Sequence, residues 1–260
     1  MSPSSHPRPP VDPALLNAGA DTQWTNLGDW RVATAYGAAA RALAMRVGAA
    51  ARLGHDDGVG DYACGFGDSL RLWVEACGVR RAVGVEPDPD LCAAVQRRIA
   101  GWGLATRVSI VTARAESLAP TAADAAVTAV VCVDAAYHFR TRDAWGCRLM
   151  QTLPRGARVA YSDLAIADGQ RPGFMTRGLA RAFGIPGANL DSAAALGQRL
   201  TALGFRDARV ESIGGDALDG FVTHVRGLGM PLRLTRAAIR ALRRRPWIDY
   251  VLVSGRAPGA

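Results

Sequence analysis

Apolar positions recur along this chain with two spacings that alternate. Arg31 to Leu53 is rich in alanine and free of proline, which predicts a helix. Gly58 to Cys64 reads as a strand running into a glycine-rich turn. Asp68 is placed to cap the next helix, in which Leu70, Trp73, Val74 and Cys77 return at the spacing of one buried face. Ala82 to Val85 is a short apolar strand ending at Glu86, and Asp88 to Ala100 a helix with Leu91, Val95 and Ile99 on one stripe. Val108 to Val111 is a third strand, and Ala125 to Val133 is a valine-rich run typical of a strand buried on both faces. A helix over 143–153 and a strand over Ala157 to Tyr161 continue the alternation.

Such alternation predicts an α/β fold, a mostly parallel sheet with helices on both faces. Residues 164–190 break the rhythm with several glycines and prolines. A helix with Leu196, Leu200 and Leu203 on one face follows, then strands at Arg209–Ile213 and Trp247–Val253, seven strands in all. Residues 1–20 are expected to be a mobile tail, since Met1–Pro13 offers little to pack. Residues 21–260 are read as a single domain, with an N-terminal cover at 21–53 and cap insertions at about 164–190 and 215–236.

Composition narrows the picture by exclusion. With 49% hydrophobic and 21% charged residues the chain can bury a sizeable core. No apolar run approaches a membrane span and no secretion signal is visible, so a cytoplasmic location is the default. The five cysteines, Cys64, Cys77, Cys92, Cys132 and Cys147, form no C-x-x-C or Cys/His cluster, so neither a disulfide framework nor a metal site is expected. The net charge of +8 comes with arginine as the sole strong base, since lysine is absent. Arg243, Arg244 and Arg245 are the one basic cluster, and a solvated helix end accounts for it at least as well as an anionic partner.

The functional signal lies in Val59-Gly60-Asp61-Tyr62-Ala63-Cys64-Gly65-Phe66-Gly67. Glycines in a strand-to-helix turn let backbone approach a ligand closely. Glu86, at the end of the next strand, is placed to accept hydrogen bonds from ribose hydroxyls. The dinucleotide fingerprint G-x-G-x-x-G is not met, because Leu70 stands where its third glycine belongs, and a chain without lysine has no phosphate-binding P-loop. A nucleoside ligand without a pyrophosphate fits these facts.

Asp61-Tyr62-Ala63-Cys64-Gly65-Phe66-Gly67 resembles the D-x-G-C-G-x-G signature of class I S-adenosylmethionine-dependent methyltransferases, and Val85-Glu86-Pro87 resembles the acidic end of their second strand. Cys132-Val133-Asp134-Ala135-Ala136-Tyr137-His138-Phe139 is similar to the fourth-strand motif of their small-molecule branch, the polyketide, sterol and tocopherol methyltransferases. Asn26-Leu27-Gly28-Asp29-Trp30 is similar to the segment by which that branch covers its cofactor. The resemblance implies a Rossmann-like doubly wound seven-stranded sheet, with the first five strands parallel and the last, around Tyr250–Val253, antiparallel, under a helical substrate cap. It implies S-adenosyl-L-methionine as cofactor, contacted by Trp30, Tyr36, Asp61, Ala63, Cys64, Gly65, Gly67, Glu86, Pro87, Glu116 and, through its backbone, Cys132. Three positions depart from the pattern. Ala63 replaces the first glycine, Arg114 stands where an adenine-side Asp is frequent (Glu116 is close enough to substitute), and Thr128 replaces an Asp early in the fourth strand.

Methyl transfer needs a base only when the acceptor must lose a proton. His138, just beyond the fourth strand, is the candidate base, the alternative being a histidine that orders its loop or orients Asp134; Tyr137 beside it lines the pocket or donates a hydrogen bond. Trp30 and Tyr36 are candidates for an aromatic lid over the sulfonium, or core residues. Asp163 either faces the substrate or caps the next turn, and His224 either reaches the pocket or lies at the surface. Phe174, Met175, Leu179, Phe183, Phe221, Leu228 and Met230 make both insertions apolar. That pattern suggests O- or C-methylation of a hydrophobic secondary metabolite such as a polyketide, terpenoid or aromatic compound, or ordinary packing on the sheet. A homo-oligomer is compatible with the sequence. Competing readings are an RNA or other nucleic-acid methyltransferase, disfavoured because no Asn/Asp-Pro-Pro-aromatic motif follows the fourth strand; a nicotinamide-dependent oxidoreductase, disfavoured by the missing glycine; and an inactive relative that only binds cofactor.

Overall fold

A computed structural model describes residues 12–18, 20–117, 127–228 and 248–259. Strands β1 (Gly58–Tyr62), β2 (Arg81–Glu86), β3 (Val108–Thr112), β4 (Val127–Val133), β5 (Arg158–Ile166), β6 (Arg206–Ser212) and β7 (Ile248–Arg256) form one sheet in the order β3-β2-β1-β4-β5-β7-β6. The pairings from β3 through β5 are parallel, whereas β7 runs antiparallel to both β5 and β6, as expected of the last strand. From β1 the chain winds outward to β3, then returns to lay β4 on the other side of β1. That reversal opens a crevice at the carboxyl ends of β1 and β4, where doubly wound sheets bind ligands.

Helices α1 (Pro13–Leu16), α2 (Tyr36–Ala50), α3 (Asp68–Glu75), α4 (Pro89–Gly101), α5 (Arg142–Thr152), α6 (Phe174–Ala182), α7 (Ala193–Ala202) and α8 (Gly214–Gly227) complete the described chain. On one face α2, α3, α4 and α8 bury Leu43, Val47, Trp73, Val95 and Leu218 against Val59 and Val131. On the other, α5 and α7 bury Trp145, Leu149, Leu196 and Leu200 against Val130, Val159 and Val253. Strand β1 is buried along its whole length, Asp61 included, as a central strand covered on both faces is. The edge strand β6 instead carries Arg206, Asp207, Arg209 and Glu211, all of them exposed.

The sheet departs from the sequence expectation mainly in β5. It does not stop at Tyr161 but pairs with β7 from Arg158 opposite Arg256 to Ile166 opposite Ile248. Ser162 and Asp163 interrupt the apolar run and hid this extension, although both are fully buried. Helix α2 begins at Tyr36 rather than Arg31, because residues 31–35 remain with the cover and Arg31 is held by Asp29 at 2.8 Å. Helix α3 is capped by Gly67 in the left-handed conformation, so Asp68 is its first residue and not its cap. The folded part starts within the expected tail: Asp12 caps α1 and Leu16 is buried. In the second expected cap insertion, α8 buries Ala217, Leu218, Val222 and Val225 in the core instead of walling a pocket. Residues 1–11, Met230, Arg243–Arg245, Trp247 and the 229–236 part of that insertion lie outside the described residues, as does the Met175 side chain. Among the described residues no helix is long and apolar enough to cross a membrane.

The strands after β4 are held by a buried ion pair. Arg142 Nε donates to Asp163 Oδ2 at 2.6 Å, with the two side chains 5% and 0% exposed. The same guanidinium donates to Leu164 O at 2.8 Å and to Asn189 O. The amide of Asn189 donates to Phe139 O at 2.6 Å and Tyr137 O at 3.2 Å. Asp163 thus neither faces a substrate nor caps a turn; it anchors the segment after β4 to β5. Burial raises its pKa, opposed by the charge of Arg142. Replacing Arg142 by Ala strands that carboxylate, and urea unfolding is expected to show a loss of about 3–5 kcal/mol.

Candidate active site

The turn between β1 and α3 is shaped by positive φ at alternate residues, Ala63 (54°), Gly65 (54°) and Gly67 (82°). The N–H groups of Ala63 and Cys64 both donate to Val85 O, at 2.7 and 3.3 Å, which lashes the turn to β2. A Cβ on Gly67 would lie 2.8 Å from Val95 Cγ1, so α4 can approach only a glycine there. Gly84, which the sequence reading passed over, is equally constrained: a Cβ would stand 2.7 Å from Cys64 Sγ. A glycine inside an apolar strand was the available signal.

Two buried carboxylates flank the turn. Glu86 Oε2 accepts the N–H of Gly65 at 3.2 Å and Oε1 that of Asp88 at 3.3 Å. Burial pushes its pKa up to about 7, opposed by those two N–H bonds. Asp61 is 1% exposed; its Oδ2 accepts Trp73 Nε1–H at 2.7 Å, while its buried Oδ1 has no hydrogen-bond partner among the described residues. Burial raises its pKa to about 6, opposed by hydrogen bonds from Ser69 and Trp73. Asp61 lies in the wall of a cleft beside Ala63, Cys64, Gly65, Asp68 and Ser69, and Glu86 stands next to that wall, bonded to the Gly65 N–H.

The other wall of the cleft is the N-terminal cover, through Gln23, Trp24, Thr25 and Asn26. Gln23 N–H donates to Asp68 Oδ2 at 3.1 Å, and Arg98 grips the same carboxylate at 2.8 and 2.9 Å while stacking on Trp102 at 4.6 Å. Trp30 and Tyr36, candidates for a lid or for the core, pack away from the turn. They stand 6.4 Å apart and enclose His224, which stacks on Tyr36 at 5.0 Å; Trp30 rests on Gly220, and Phe221 packs 6.3 Å from Tyr36. The Tyr36 hydroxyl donates to Asn26 O at 2.9 Å, supporting the cover from behind. Cys132 is fully buried and burial raises its thiol pKa, so only its backbone is available. Pro87 is half-buried beside Glu86, and Glu116 accepts the backbone N–H of Arg140, tying the loop after β3 to the turn after β4.

That turn, a 3-10 segment over Ala136–His138, separates the two candidate catalytic residues. The hydroxyl of Tyr137 is buried and donates to Asp134 Oδ1 at 3.0 Å, which takes it out of contact with an acceptor. His138 keeps an exposed edge, packs 4.3 Å from the Tyr137 ring, and has Nδ1 3.3 Å from Gly184 O. Its pKa is lowered by crowding of the ring, opposed by the contact with Gly184.

Residues 59–155 match a family described as a methyltransferase domain. That stretch runs from β1 to the loop before β5 and is similar to the family over its length. Three solved structures share its fold. The 4+2 cyclase SpnF is 18% identical with a TM-score of 0.77, over 96% of this chain and 94% of its own. A geranyl diphosphate C-methyltransferase from Streptomyces coelicolor A3(2), in complex with Mg2+, geranyl diphosphate and S-adenosyl-L-homocysteine, is 17% identical with a TM-score of 0.72, over 85% and 81%. A putative sarcosine dimethylglycine methyltransferase from Galdieria sulphuraria is 15% identical with a TM-score of 0.74, over 90% and 93%. No curated protein sequence matches the chain.

S-adenosylmethionine is the cofactor that the sequence resemblance implies, and the cleft residues fit it. Glu86 offers carboxylate oxygens suited to paired ribose hydroxyls, and the unpartnered Asp61 Oδ1 suits an ammonium group. The sign of the pH dependence follows. Both groups have raised pKa values in the folded protein, so the stability they lend is present in acid and is lost as pH rises through about 6 to 7. Donors from the cofactor favour the ionised forms. Calorimetry with S-adenosylhomocysteine is therefore expected to show tighter binding and proton release as pH rises from about 5.5 to 8. Glu86→Gln is expected to flatten most of that dependence and weaken binding about tenfold to a hundredfold. Ala63→Gly relieves a left-handed alanine, and the thermal midpoint is expected to rise by roughly 2–4 °C.

Proposed function

We propose that the protein transfers the methyl group of S-adenosylmethionine to a small, largely apolar metabolite, on oxygen or carbon, with His138 accepting the proton that the acceptor gives up. The observation that carries this reading is the cleft at the end of β1, where a carboxylate on the turn's own N–H and an unsatisfied buried Asp61 oxygen stand together. When bound there, the cofactor supplies an electrophilic methyl on a sulfonium whose leaving group departs neutral. The chain is then asked chiefly to align two reactants, which is worth roughly 7–11 kcal/mol.

The tautomer of His138 supports its role. A carbonyl can only accept, so the contact with Gly184 O selects the Nδ1–H form and leaves the Nε2 lone pair as acceptor. The lowered pKa keeps the ring neutral at ordinary pH. The apolar acceptor is supported by α6 and its C-terminal end, where Phe174 is 93% exposed and Leu179 and Phe183 are half-buried near Gly184. It is supported also by the geranyl diphosphate enzyme, whose acceptor is an isoprenoid.

His138→Ala is expected to lower kcat by about a hundredfold to ten-thousandfold with the affinity for S-adenosylhomocysteine unchanged. In the wild type, kcat is expected to fall on the acid side with a midpoint below the ordinary imidazole value. Unchanged turnover in the variant removes the base. A second reading, a cyclase that keeps its cofactor unspent, is favoured by the extent of the likeness to SpnF. Release of S-adenosylhomocysteine during turnover separates the two.

A further inference from the structure

Asp134 serves neither the cofactor cleft directly nor the proton transfer, yet both of its carboxylate oxygens are engaged at the carboxyl edge of the sheet. It follows β4 with a φ of +59°, a left-handed conformation that among side-chain-bearing residues Asp and Asn adopt most readily. Its own N–H donates to Ser162 Oγ at 3.0 Å, and that hydroxyl also accepts the Tyr250 hydroxyl at 3.0 Å, so β5 and β7 together hold the strained backbone in place. Its Oδ2 accepts the N–H of Leu27 at 2.8 Å and its Oδ1 the hydroxyl of Tyr137 at 3.0 Å. A left-handed backbone fixed by two strands thus aims one carboxylate at both the cover and the turn after β4.

The Leu27 bond is informative because of where it lies. The cover is fixed at one end by Asp29 N–H on Ala39 O and Trp30 N–H on Asp216 O, both at 2.8 Å, and at the other by Gln23 N–H on Asp68. Between those anchors Asn26 is bonded to α2, through Ala40 O and the Tyr36 hydroxyl, while the bond to Asp134 ties the cover to the sheet. Thr25 Oγ1 stands 3.8 Å from where a Cβ on Gly65 would be, so the cover lies directly above the turn.

We propose that Asp134 is the catch of the N-terminal cover, a positioning residue that pins Leu27 over the cofactor cleft and, through Tyr137, sets the turn carrying His138. The geometry makes one buried group answerable both for holding the cofactor and for placing the base. It also makes the catch responsive to pH. Burial pushes the Asp134 pKa up to about 7, opposed by the hydroxyls of Tyr250 and Tyr137 and by the Leu27 N–H. The titratable groups that face it are Tyr36 from α2, Cys132 from β4, Tyr137, Tyr250 from β7 and Asp163 from β5, whose charge Arg142 compensates. Hydrogen bonds to an ionised carboxylate are about twice as strong as neutral ones, so the catch tightens above that pH and slackens below it.

The proposal rests on the cleft being the cofactor site, and its test reads the cover of the full chain first without any cofactor. Hydrogen exchange across residues 22–30, corrected for intrinsic rates, is expected to be about tenfold or more faster in Asp134→Asn than in the wild type at pH above about 7. It should also lose its pH response, while α2 keeps its protection. Dissociation of S-adenosylhomocysteine, followed by stopped flow, is expected to accelerate about tenfold in the same variant. Unchanged protection over 22–30, or equal loosening of α2 and β1, overturns the catch. Should Asp134→Asn not fold, Tyr137→Phe removes one donor that favours the ionised form, so the pH at which 22–30 loosens is expected to move upward. An unmoved midpoint overturns the proposal as well. Failure of the wild type to bind S-adenosylhomocysteine would instead defeat the proposed function and leave the exchange result standing.

Discussion

Where β1 ends, the backbone turns over three alternate left-handed residues, and this arrangement leaves the Gly65 N–H on the Glu86 carboxylate. The turn could not exist with side chains at Gly67 or Gly84, because α4 and the Cys64 sulfur already fill that space. The packing of α3 and α4 on the sheet and the shape of the cleft are therefore one constraint seen from two sides. Ala63 is the exception in the series, a side chain tolerated where its Cβ costs strain but meets no neighbour that forbids it.

The carboxyl edge of the sheet gathers carboxylates that would be more stable in water. Asp61, Glu86 and Asp134 stand at or next to the ends of β1, β2 and β4, and burial moves all three towards neutrality. Asp163, deeper in β5, has an arginine; the other three have only hydrogen bonds, and Asp61 lacks even a full set. Groups held at such cost are those a bound cation or hydroxyl can repay, which is why perturbed carboxylates cluster at functional sites.

The first four strands, the glycine turn and Glu86 were legible because each is written locally, as a run of apolar residues closed by a turn residue. Their relation in space followed from the alternation of elements. The extension of β5 was not legible, since Ser162 and Asp163 look like the end of a strand until Tyr250 and Arg142, each distant in sequence, are brought to them. The cover was recognised by its resemblance, but not which of its residues meet the cleft. Trp30 and Tyr36 carry the chemistry of a sulfonium lid, and only the tertiary fold decides that they pack on Gly220 and His224 while Gln23 to Asn26 face the turn. The same holds for Tyr137, whose hydroxyl is spent on Asp134.

One consequence follows from the outermost position of β6. An exposed strand edge offers free N–H and C=O groups to any other strand, and this one lies at the end of the sheet with Arg206, Asp207, Arg209 and Glu211 along it. Charged side chains of both signs on an irregularly paired edge resist the approach of a second sheet. Growth of the sheet into its neighbours is thereby discouraged at β6, and copies of this chain that associate there would have to bury four charges to do so.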